Sequence, residues 1–153
     1  MALPRHPGQP DLLDWQPPET VVAFEPAHVR AATVAASIAR AVAAALRDSP
    51  LSRGEVAARM TAYLGERVSK NMLDAYASEA RQDHPIPVTR LIALMHATGD
   101  RRLLQLLAEP LGWAVIERRH LPAIEIAAVR DKEDELRKHR EYLTRLARSG
   151  GGL

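Results

Sequence analysis

Apolar positions recur every three or four residues along most of the chain, and this pattern predicts a helical protein. Across residues 27–47, Val34, Ile38, Val42 and Leu46 recur every four residues, with Ala31, Ala35, Ala41 and Ala45 beside them. That is the apolar stripe of one helix. Asp48-Ser49-Pro50 ends it, because the residue before a proline is pushed out of the α region. Ser52 then reads as an N-cap, and Glu55 three residues later completes a capping box. Val56, Met60, Tyr63 and Leu64 form the expected buried stripe of this second helix. Gly65 is placed to adopt the left-handed conformation that stops it. Ser69 is another N-cap, opening a helix from Lys70 to about Ala80 that buries Met72, Leu73, Tyr76 and Ala80.

Beyond these, Asp83-His84-Pro85-Ile86-Pro87 reads as a stiff loop. Val88 to Thr98 carries Leu91, Ile92, Leu94 and Met95 at helical spacing and is closed by Gly99. Asp100 is placed to cap a short helix through Leu107, stopped before Pro110. Trp113-Ala114-Val115-Ile116 is a brief β-like run that would need a partner strand. From Pro122 to Arg148 the composition is that of a long charged helix. Val129, Leu136 and Leu143 are spaced by sevens, but the complementary heptad positions include Lys132 and His139, which makes a poor seam.

The N-terminal end differs. Pro4, Pro7, Pro10, Pro17, Pro18 and Pro26 remove amide donors at a density that blocks helix, so an extended arm is expected. Within it, Asp11-Leu12-Leu13-Asp14-Trp15 either packs Trp15 onto its own domain or docks on a partner protein. The expected organisation is an arm at 1–26 and a helical domain at 27–116, with its two capped helices at 51–81. A C-terminal helix for oligomerisation or partner contact follows at 122–148, then a flexible tail at 149–153.

Composition narrows the class. Hydrophobic residues make up 46% of the 153 residues but aromatics only 4%, so alanine and leucine must build a core of closely packed helices. There is no cysteine, which excludes disulfides and thiolate metal sites. No apolar run approaches the roughly 18 residues of a membrane span. The N-terminus also lacks the charged-then-apolar order of a secretory signal. A cytoplasmic protein with no membrane contact is therefore expected. The net charge of +2 is small, and residues 51–81 hold five cations against four acids, which argues against strong non-specific DNA binding. The six histidines are scattered, and the chain has no HExxH, phosphate loop or nucleophile elbow. The acids at 131–135 read as a solvated helix face. The expectation is a protein with no catalytic site, no metal and no cofactor.

The pair of capped helices suggests a different chemistry. A helix entering the major groove needs short polar or basic residues near its N-terminus. With Met72, Leu73 and Tyr76 turned inward, Ser69, Lys70, Asn71, Asp74, Ala75 and Ser78 are left on the outer face. Asn71 could read adenine, Lys70 guanine or phosphate, and Ser69 could hold a phosphate. Arg53, Arg59, Arg67 and Arg81 flank this face as candidate phosphate contacts. A plainer reading of the same residues is that Ser69 and Asn71 cap while the arginines solubilise.

Three motifs bear on this choice. They are Ser52-Arg53-Gly54-Glu55-Val56-Ala57, Val68-Ser69-Lys70-Asn71-Met72-Leu73-Asp74-Ala75-Tyr76, and Pro87-Val88-Thr89-Arg90-Leu91 leading to Thr98-Gly99-Asp100. Through them the stretch from Leu51 to Gly112 resembles phage regulatory proteins of the CII type, within the lambda-repressor-like helix-turn-helix group. It is also similar to small DNA-binding proteins of Mu-like transposable phages and prophages. The resemblance implies an all-α helix-turn-helix bundle that binds double-stranded operator DNA, usually as a homo-oligomer. Two features depart from it. Ala57 and Gly65 stand eight apart, about a turn more than in the compact motif, and Asp74 would repel phosphate although it could accept from cytosine. The expected function is sequence-specific DNA binding, as a transcriptional regulator or an accessory factor in phage replication or transposition. The alternative is an adaptor with the same fold that does not read DNA, working through the 11–15 patch and the 122–148 helix.

Overall fold

The computed structural model describes residues 20–81 and 83–150. The 11–15 patch, most of the proline-rich arm and the end of the glycine tail lie outside the described residues. Those described form seven α-helices and two short 3-10 turns, with no strand among them. They divide into two compact units, one ending at Val115 and the other beginning at Ile116.

In the first unit, α1 (Pro26–Val29) is a single turn opened by Pro26, whose missing amide donor costs nothing there. The helix expected from residue 27 is interrupted, and α2 (Val34–Asp48) starts only after Thr33. Thr33 is the physical reason: its side chain accepts from the Ala36 amide at 3.1 Å. Val34 therefore lies in the first turn and is exposed, while Ala41, Val42, Ala45 and Leu46 are buried.

The next two elements are α3 (Arg53–Leu64) and α4 (Lys70–Tyr76). Tyr63 is not part of the buried stripe; it is half exposed and stacks on His96, ring centroids 4.4 Å apart. Helix α4 stops four residues before the expected Ala80, which is exposed. Successive turns replace it, with the Ser78 amide donating to Ala75 O at 3.2 Å and the Arg81 amide to Ser78 O at 3.2 Å.

Helix α5 (Val88–Thr98) matches its expected bounds, from Pro87 as N-cap to Gly99 at φ +71°. Leu91 and Leu94 are buried, but Ile92 faces solvent. Before α6 (Arg102–Ala108) the Asp100 carboxylate accepts from the Arg102 amide at 3.0 Å, but the N-cap position expected of Asp100 is occupied by Arg101, one residue later. The Arg102 guanidinium closes back on Asp100 and reaches Asp48 at 3.0 Å, while lying 4.3 Å from the centre of the Phe24 ring. Its pKa is raised, chiefly by the Asp100 hydrogen bond. One arginine thus ties the entry segment, the end of α2 and the start of α6 together. The run at 113–116 is not a strand: the Val115 amide donates to Gln105 Oε1 at 2.7 Å, a local partner in place of a ladder.

The core gathers between α2, α3, α4, α5 and α6, with α3 packed along α5 and α2 against α6. Met60, Leu73, Leu94, Leu103, Val42 and Val56 are its largest fully buried side chains. Ala41, Ala44, Ala45, Ala57, Ala93 and Ala97 fill the space between them, which lets the helices approach closely.

In the second unit a 3-10 turn, Arg118–His120, leads into α7 (Leu121–Ser149). No residue of this 29-residue helix is buried. Ion pairs run along it between Lys132 and Glu135 at 2.8 Å and between Arg137 and Asp134 at 2.9 Å. No described helix is long and apolar enough to cross a membrane.

Candidate nucleic-acid interface

Helix α3 begins with a complete capping box. The Ser52 amide donates to Glu55 Oε2 at 2.7 Å and the Glu55 amide to Ser52 Oγ at 3.3 Å. Hydrogen bonds from the Ser52 side chain and backbone hold the Glu55 carboxyl below the usual carboxylate range. Gly65, at φ +72°, ends the helix with its amide on Thr61 O at 2.9 Å. The turn after it is fastened by Thr61, whose hydroxyl accepts from the Val68 amide at 2.9 Å and donates to Ala57 O at 2.9 Å. With Val68 buried, the turn has little freedom, and the longer spacing between Ala57 and Gly65 is accommodated in α3 itself.

The N-terminus of α4 is fixed by Ser69, which accepts from the Met72 amide at 3.3 Å. Met72 stands where a capping box has a glutamate, and its sulfur accepts from the Ser69 amide at 3.5 Å. Lys70 and Asn71 follow on the exposed side, one turn before Asp74. Leu73 and Tyr76 are buried on the opposite side. The Asp74 carboxylate is bound by Arg53, which joins the first residue of α3 to the outer face of α4. The Tyr76 hydroxyl accepts from Arg90 of α5, whose guanidinium also reaches Glu66 at 3.4 Å.

The acids of this segment are therefore all engaged. Glu55 caps α3, Glu66 meets Arg90, Asp74 meets Arg53, and Glu79 meets Arg40 at 2.8 Å. Two of the three arginines come from outside residues 51–81. Arg67, Lys70 and Arg81 have no carboxylate within ion-pair distance among the described residues. The near-neutral charge count of the segment thus understates the positive charge left available at the turn and the start of α4.

The structure groups some of the expected residues and separates others. Arg53, Ser69, Lys70, Asn71 and Asp74 come together around the start of α3 and the outer face of α4, with Arg67 in the turn beside them. Ser78 and Arg81 do not belong to that helix face, because α4 has already ended. They line a cleft against α2, with Ile38, His84 and Ile86. Arg59 points toward the end of α5, its guanidinium donating to Ala97 O at 3.5 Å. Arg40, Thr61 and Arg90 carry roles that periodicity does not reveal. Arg90 stands within one of the resemblance motifs, but its partners Tyr76 and Glu66 are 14 and 24 residues away.

Among the described residues no three His, Cys, Asp or Glu side chains form a metal-ligating group. Comparison with protein-family models, curated proteins and solved structures finds no match for this chain.

Proposed function

We propose that this chain binds double-stranded DNA sequence-specifically through α3, the Gly65 turn and α4, arranged as a lambda-repressor-like helix-turn-helix. It would act as a homo-oligomeric, cytoplasmic regulator of phage type, or as an accessory factor in phage replication or transposition. The observation that carries this reading is the uncommitted group at the start of α4. Lys70, Asn71 and Arg67 are exposed beside a helix N-terminus while every neighbouring carboxylate is engaged. A recognition helix reads bases from its N-terminal residues, so a helix of only seven residues is long enough. Lys70 and Asn71 then meet base edges, and Arg67 and Ser69 meet the phosphates that set the register.

A gel shift against a panel of duplexes across a salt series tests the proposal. The expected result is selective binding that weakens as salt rises. Asn71→Ala should cost about 1–3 kcal/mol against the preferred sequence and little against others. Arg67→Ala should weaken all sequences alike and lower the salt slope by about one. No binding at low salt, or small and equal effects of both substitutions, would overturn it. Leu104, Leu111 and Trp113, exposed at the α6 end of the first unit, favour the second reading, a protein-interaction adaptor. Absence of DNA binding would move the assignment there.

A further inference from the structure

Helix α7 exposes an apolar stripe along its length. Val129, Leu136, Leu143 and Leu146 are each about half exposed or more. An isolated helix in water is marginal, and ion pairs along one face add only a few tenths of a kcal/mol each. The heptad that places Val129, Leu136 and Leu143 on the seam also places Glu125, Lys132, His139 and Leu146 there. In a parallel, in-register pair Glu125 would meet Glu125, Lys132 would meet Lys132 and His139 would meet His139. That arrangement stacks like groups in three layers.

Reversing one helix removes those layers. Val129 then packs on Leu146 of the partner subunit, Leu136 on His139 of the partner subunit, and Lys132 along Leu143 of the partner subunit. The Lys132 stem covers apolar surface while its ammonium reaches water. In that register the shallow groove lined by Pro122, Ile126 and Val129 would receive Leu146 of the partner subunit.

The charges beside the seam point the same way. Asp134, Glu135 and Glu141 are held within their own helix by Arg137, Lys132 and Arg145. Glu133 and Arg140 have no ion-pair partner among the described residues. They lie on one edge, two turns and about 10 Å apart, too far to meet each other. In the antiparallel register Glu133 faces Arg140 of the partner subunit, and the symmetry of the pair makes this contact twice. In the parallel register Glu133 faces Ala128 of the partner subunit. We infer that α7 pairs with α7 of a second copy as an antiparallel two-helix coil, specified by reciprocal Glu133–Arg140 ion pairs.

The inference does not depend on DNA binding and is tested without DNA, on the full chain. Sedimentation equilibrium should give a dimer. Glu133→Arg or Arg140→Glu alone should weaken it about ten-fold or more, since two attractive pairs become repulsive. The double charge swap, Glu133→Arg with Arg140→Glu, should return the affinity to near that of the unaltered chain. Because the chain has no cysteine, Ser149→Cys accepts a single spin label. The label-to-label distance should be roughly 30 Å or more for antiparallel helices, against under about 20 Å for parallel ones. A monomer at all concentrations, a double swap as weak as either single change, or a short label distance would each overturn the inference.

Discussion

On the proposed reading face Asp74 is an acid that would repel the DNA backbone, and Arg53 pairs with it. Both side chains are about 40% exposed, so the pair adds less than about 1 kcal/mol to stability. In the proposed complex with DNA its effect is on binding. There Asp74→Ala would free the Arg53 guanidinium for a phosphate and remove a repulsion. The expected outcome is several-fold tighter binding to any duplex, with a salt slope steeper by about one, at an almost unchanged melting temperature. Titrations at three salt concentrations check this, and an unchanged slope would contradict it. At this scale the sequence exposes what is local. Ser52, Glu55, Gly65 and Ser69 can be read because a cap and its partner lie within three or four residues. Arg53 and Asp74 are 21 residues apart, and no spacing rule joins them.

The elements divide the same way. The bounds of α5 are legible because Pro87 and Gly99 mark both ends. The end of α4 is not, because Ala77 to Ala80 contains neither glycine nor proline, and the chain leaves the helix there through successive backbone turns. Thr33, read as one more residue of a helical stretch, is what starts α2. Tyr63 and Ile92 fit the apolar period and yet face solvent, since period alone gives a stripe and not its width. Gly65 provides the test at this scale. A Cβ built there meets no atom within 4 Å, so Gly65→Ala carries only the cost of holding a non-glycine residue at φ +72°. That cost is about 1 kcal/mol. Thermal unfolding should show it as a drop of several degrees. A variant as stable as the parent would mean that the turn tolerates another backbone conformation.

For the whole molecule, an all-α fold and a long C-terminal helix were legible from composition and period. The electrostatics of the candidate site were only partly so. Summing charges over residues 51–81 counts Glu66 and Glu79 as repulsive, whereas folding brings Arg90 and Arg40 onto them. Charge along the chain and charge on the folded surface differ wherever ion pairs join distant segments.

The exposure of α7 has one more consequence, for how the chain comes apart. The core cluster runs from Phe24 to Leu103, all of it within the first unit, and no residue of α7 is buried. Cooperative unfolding needs shared burial, and calorimetry of the full chain should therefore show two transitions. One, from α1–α6, should not depend on protein concentration and should survive unchanged when the chain is cut after Val115. The other, from α7, should come at lower temperature and rise with concentration, as expected where association stabilises the folded form. A single transition that falls on truncation would contradict this. Warming would then split the dimer into monomers whose α3–α4 surface is still folded, which separates strength of assembly from integrity of the proposed reading face.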